Sequence, residues 1–460
     1  MRDKNRKAFS PIAASPKPAA SIASSPVAAV LLAAALCLAA AQPFAAQGDL
    51  AGGVGVLAIQ PKRERAVSSA KPKPPAVKRG PKVTKNDHLL EAVSKGDAHA
   101  TEDLLEEGAD ANAKSDEGCA ALVYAVAGKD KTAAQELLAK GADANARCAD
   151  GVTALMVAAE AGDAETAQAL VDRGADVNAK SADGRTALIF AASNGQLAVV
   201  RELLAKGVDV SAAYKDGRTP LVFAAANGHA DIARELLAKG ADVNVRPEGG
   251  WTPLLWACWM SQPEVVKLLL EKGADVSARD KDNDTALMKA ATQKLAFFGQ
   301  ANRQAADEQF QRDAAIVQML IAKGADVRAR GNSGGTALLF ASSREGDDSM
   351  IQALIAKGAD VNAANDLGVT PVIVAAANGR ISTLDALFEH GANVNARTPK
   401  GYTALIAASS SGRPNTVRLL LEHGADVNAK YEDGRTALAF AQQNGQTQVV
   451  EILKGAGAQD

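Results

Sequence analysis

Residues 183–210 read "DGRTALIFAASNGQLAVVRELLAKGVDV". Thr186 stands where a helix can begin, because its hydroxyl can accept from a backbone N–H left unpaired in the first turn. Leu188, Ala191 and Ala192 then make one narrow apolar face, small enough for another helix to approach closely. Asn194-Gly195 stops that helix, glycine being free to take the left-handed conformation. Val199, Val200, Leu203 and Leu204 recur at helical spacing and predict a second helix, which Gly207 ends. The residues up to the next Asp-Gly form a turn-rich excursion that suits a β-hairpin. The stretch reads as helix, turn, helix, and is too thin to bury a core alone.

The unit recurs. Gly-Ala-Asp or a near variant begins at Gly108, Gly141, Gly174, Gly207, Gly240, Gly273, Gly324, Gly358, Gly391 and Gly424, with a degenerate copy at Gly457. The spacing is 33 except for 51 between Gly273 and Gly324 and 34 between Gly324 and Gly358. Such a period signals a solenoid over residues 86–460, about eleven units long. Pro220, Pro253 and Pro371 take the place of Ala187, a first-turn position where no N–H is needed. The first unit lacks the leading hairpin and carries Asp87 where others use Thr. The last carries Gln442, Gln443, Gln446 and Gln448, the polar face a terminal cap requires.

This pattern resembles the ankyrin repeat, close to "G-x-T-P-L-H-x-A-A-x-x-G" followed by "L-L-x-x-G-A-D-V-N". The resemblance implies an all-α repeat solenoid, an array of helix-turn-helix units with projecting β-hairpins. It also implies a protein partner, bound along a concave groove. One departure is systematic: the family's His is apolar here, as Val123, Met156, Ile189, Val222, Leu255, Met288, Leu339, Ile373 and Ile406. A histidine network between repeats is therefore not expected.

The N-terminal segment has a different character. Residues 1–85 hold 14 Lys or Arg against Asp3, Asp49 and Glu64, so the rest of a chain of net charge −2 stands at −13. An acidic body argues against nucleic acid as a partner. Arg2, Lys4, Arg6 and Lys7 precede an apolar run at 27–41 and then small residues, which reads as a signal peptide over 1–46, cleaved near 41–46. The expected location is outside the cytoplasm, a bacterial periplasm. The alternative is an uncleaved inner-membrane anchor making a tethered adaptor, with membrane contact through this segment only. Residues 47–85 follow as a disordered, basic, Pro-rich tether, with nine basic residues and five Pro in 61–85. The Gly-x-Gly-x-x-Ala match at 53–58 lacks a strand and helix around it and is read as chance.

Chemistry-bearing residues mostly follow the repeat. Thr153, Thr186, Thr219, Thr252 and Thr285 share one position, and Asp143, Asp176, Asp209, Asp242 and Asp275 another, which marks them as structural. His88, His99, His229, His390 and His423 lie in cap, loop or helix-end positions without metal-ligand spacing. No cofactor, metal or catalytic residue is expected. Cys258 takes the place of a small core residue, and whether Cys119 and Cys148 pair is left open.

Catalysis or recognition should appear where repetition breaks. "WTPLLWACWM" at 251–260 holds every Trp of a chain that is 4% aromatic. Trp251 just before Thr252, with Trp259 and Met260 after the small pair, would sit at variable surface positions. Trp256 aligns with Phe190, Phe223, Phe340 and Phe440 and reads as framework. The long seventh unit adds an insertion around 292–315 with Phe297, Phe298 and Phe310. Repeats six and seven therefore make the expected hot spot, with Tyr214 and Tyr402 as outlying contacts. The competing reading is a small-ligand or hydrolytic site under the insertion.

Overall fold

The computed structural model describes residues 83–292, 303–344 and 348–459. The signal and anchor readings, nearly all of the tether, and Phe297 and Phe298 lie outside them.

Among the described residues the chain folds as eleven helix pairs. They are α1 and α2 (Lys85–Lys95, Ala98–Glu106), α3 and α4 (Ala121–Ala127, Lys131–Ala139), α5 and α6 (Ala154–Ala161, Ala164–Asp172), and α7 and α8 (Ala187–Ser193, Leu197–Ala205). Next come α9 and α10 (Pro220–Asn227, Ala230–Ala238), α11 and α12 (Pro253–Trp259, Pro263–Glu271), and α13 and α14 (Ala286–Ala291, Arg303–Ala322). The array closes with α15 and α16 (Ala337–Ala341, Ser349–Ala356), α17 and α18 (Pro371–Asn378, Ile381–Glu389), α19 and α20 (Ala404–Ser410, Pro414–Glu422), and α21 and α22 (Ala437–Gln443, Thr447–Gly455). First helices pack on first helices of neighbouring units, and second on second. The chain is an all-α solenoid.

The caps explain where helices start. The N–H of Ile189 donates to the Thr186 hydroxyl at 3.3 Å, and Thr153, Thr252, Thr336 and Thr403 repeat the bond. In the first unit Asp87 does not take over the threonine's role. Thr84 is the cap, and Asp87 returns a bond to its backbone as the acidic half of a capping box.

The expected hairpins are reduced to tight turns. No strand forms among the described residues, only isolated antiparallel bridges such as Arg147 to Thr153 and Arg397 to Thr403. The turns are too short for a ladder of their own, and their tips bond along the stack instead. The N–H of Ala182 donates to Asp150 O at 2.8 Å, and that of Glu248 to Asp216 O at 2.8 Å.

An asparagine ladder adds a side-chain linkage between several of the repeats. Asn112 Nδ2 donates to Gly141 O (3.2 Å), while its Oδ1 accepts from the N–H of Asp143 (2.8 Å). Asn145, Asn244, Asn362 and Asn395 do the same to the units after them. An amide can both donate and accept, so one side chain satisfies two backbone groups of its neighbour. Cys119 and Cys148, in the turns of units two and three, are joined by a disulfide.

Candidate functional site

Three positions in each unit form one column beside the first helix: five residues before the capping Thr, one before it and four after it. In unit five these are Tyr214, Arg218 and Phe223. The guanidinium carbon lies 5.2 Å from the Tyr ring centre and 4.8 Å from the Phe ring centre. Unit eleven repeats the set as Tyr431, Arg435 and Phe440, with Arg435 4.3 Å above Phe440. A guanidinium between aromatic faces is a favourable, partly dry arrangement.

Unit six fills the column with Trp251 and Trp256, ring centres 4.9 Å apart. Unit seven fills it with ions. Lys289 stands in the Phe position, fully buried, with its Nζ 2.7 Å from Asp280 Oδ2 and 2.8 Å from Asp284 Oδ2. The same Nζ lies 4.7 Å from the Trp251 ring centre. Burial raises the Asp284 carboxyl above its ordinary range, against the pull of Lys289.

A second buried polar cluster ties the long α14 to its neighbours. Arg344 Nη2 donates to Asp313 Oδ2 at 2.8 Å and Nη1 to Thr292 O at 2.8 Å. Ser261, held at a positive φ of 56°, donates to the other Asp313 oxygen and accepts from Gln309. Phe310 lies beneath the Arg344 guanidinium, 5.2 Å from its carbon. A partly desolvated charge with all its partners in place is stable, whereas losing one partner is costly.

This geometry corrects the expected surface. Trp251 and Trp259 are 3% and 5% exposed, and Phe310 is 5% exposed. Trp251 is covered by Trp256, Trp259 and Lys289, so its place before the capping Thr is interior in this unit. Tyr214 and Tyr402 are also buried, packed against Phe223 and against Tyr431 with Phe440. Burial pushes the Tyr402 hydroxyl well above its usual range. Met260 and Trp256 are the half-buried members of the Trp-rich stretch, which reverses the roles expected for Trp256 and its two neighbours.

Family models for ankyrin repeats match residues 89–181, 132–214, 174–247, 249–281, 304–398 and 393–459. The chain belongs to the ankyrin repeat family. No curated protein matches it. Ankyrin repeat proteins are in general non-enzymatic scaffolds that bind other proteins. In this ankyrin array the titratable groups that converge at unit seven are turned on one another inside the stack, with Lys289 and Asp280 both closed to solvent along their side chains. A charge column of this kind was legible: Lys289 and Asp284 align with Phe223 and Arg218. The Asp313–Arg344 pair had no such signal, because the insertion shifts its register.

Proposed function

We propose that this chain is an exported, non-catalytic scaffold that binds a protein partner on the face made by its first helices, centred on Trp256 and Met260. The observation that carries the reading is the half-burial of Trp256 on α11 and of Met260 at its C-cap, with Phe223 and Asn227 half-buried on the neighbouring α9. Large, rigid side chains bury much area on binding at small entropic cost. Trp251 packs against Trp256, ring centres 4.9 Å apart, and supports it from beneath. The Cys119–Cys148 disulfide supports an oxidising compartment, in keeping with a leader at 1–46 and a basic tether behind it.

The test is in-cell photo-crosslinking from Met260 in the full chain. A discrete crosslinked protein that disappears with Trp256→Ala supports the reading. Equal crosslinking by the variant, with its helical content unchanged, rejects it. Sequencing the N-terminus of the mature protein tests the export step, a start beyond Ala41 being the expected result.

A further inference from the structure

Unit two departs from the repeat at two positions that govern local structure. Ala120 stands at the capping position that Thr fills in units three to eleven, and α3 starts there without a side-chain cap bond. Lys129 stands at the left-handed position that ends the first helix. Its φ is 61°, where Gly96 and Gly162 of the units on either side take 73° and 76°. An uncapped first turn and a left-handed residue that carries a Cβ both weaken the helix pair between them.

The disulfide lies at this unit. Cys119 directly precedes Ala120, and Cys148 stands five residues before Thr153, the cap of unit three. Farther along the stack the same two positions hold Arg185 with Tyr214, 5.7 Å from guanidinium carbon to ring centre, and Tyr402 with Tyr431, ring centres 6.1 Å apart. A covalent bond thus stands in for a side-chain contact between neighbours, at the unit whose first helix lacks its cap. Cys119 is buried and Cys148 half-buried, so a reductant reaches the pair through Cys148. Unit one has a neighbour on one side only, with α1 packed on α3 and α2 on α4. In a stack held by nearest-neighbour contacts, a terminal unit opens together with the unit that carries it.

We infer that the Cys119–Cys148 disulfide is a redox latch. Oxidised, it holds units one and two on the array. Reduced, it lets residues 85–147 open as one body while units three to eleven stay folded. The co-reactant is a dithiol. One of its sulfurs attacks Cys148 Sγ as the thiolate, the Cys119–Cys148 bond breaks, and a mixed disulfide forms at Cys148. The second sulfur resolves that bond and the reductant leaves as its own disulfide. Its two protons end on Cys119 and Cys148. The latch goes beyond the scaffold reading and is independent of the partner face at Trp256.

Hydrogen exchange of the full chain, oxidised and after reduction by dithiothreitol, is the test. Reduction should speed exchange over 85–147 by about thirtyfold or more, the low end of what a disulfide contributes, and leave 187–238 as slow as before. Cys119→Ala with Cys148→Ala should match the reduced chain whether or not dithiothreitol is present. In the reduced chain, Ala120→Thr with Lys129→Gly should recover most of the protection, since these changes supply the cap and the glycine that neighbouring units carry. Equal exchange over 85–147 in the two redox states overturns the latch, as does a loss spread evenly over all units. A repaired variant that still exchanges like the reduced wild type overturns the dependence on Ala120 and Lys129.

Discussion

Lys289 occupies the position that Phe223 holds two units earlier, and it is ion-paired to Asp284, which occupies the position of Arg218. The same backbone frame thus holds a cation over an aromatic ring in unit five and a closed salt bridge in unit seven. Both solutions fill the space beside the first helix. They differ in what happens when one partner is removed.

Lys289→Met should leave Asp280 and Asp284 facing each other without a cation. Loss of one member of a buried ion cluster costs about 3–5 kcal/mol. The triple change Asp280→Ser, Asp284→Arg, Lys289→Phe carries the side chains of Ser181, Arg185 and Phe190 into unit seven. It should recover most of that loss, because it replaces one self-consistent set with another. Urea midpoints for the wild type and both variants decide the matter. A triple variant no better than Lys289→Met would show that the column is not interchangeable.

The Arg344–Asp313 pair should govern how firmly α14 is held. Arg344→Met strands a fully buried carboxylate, and about 3–5 kcal/mol of local stability should go with it. Adding Asp313→Leu should restore part of the loss. Hydrogen exchange read over 307–322 is the suitable measure, with faster exchange there than in α8 or α20 of the same variant.

His229 sets a pH dependence in unit five. Its Nε2 lies 3.2 Å from Ser193 O, and burial holds the imidazole below its ordinary range. The unfolded chain therefore takes up the proton first as pH falls. The stabilisation is complete above pH ~6.5 and declines as pH drops through the lower folded value. Gln occupies the equivalent place at 196, 262 and 446, so His229→Gln should fold and lack this decline. The wild-type midpoint minus that of His229→Gln should shrink from pH 7 to pH 5. A constant difference would mean that His229 does not titrate across this interval.

Acrylamide quenching should separate the three indoles. Trp256 is half-buried, while Trp251 and Trp259 are closed to solvent. Trp256→Phe should lower the quenching slope of the protein, since the remaining emission comes from shielded rings. Trp251→Phe should raise it, by removing shielded emission. The opposite order would place Trp251 at the surface.

Most of the fold was legible in the sequence. The 33-residue period, the capping Thr, the glycines after each helix and the apolar positions of Val199, Val200, Leu203 and Leu204 all report local requirements that every unit must meet. Local requirements survive in a one-dimensional reading, because a helix cap or a left-handed glycine depends on the residues next to it.

Burial at the break was decided by the tertiary structure. Alignment places Trp251 beside Thr252, but its exposure depends on Trp256 and Trp259 of its own unit and on Lys289 of the next. Phe310 lies in an insertion with no counterpart in other units, and only the fold brings Arg344 over it. A repeated pattern fixes where a side chain starts. Whether solvent reaches its end is set by the size and charge of the neighbours that the stack lays across it.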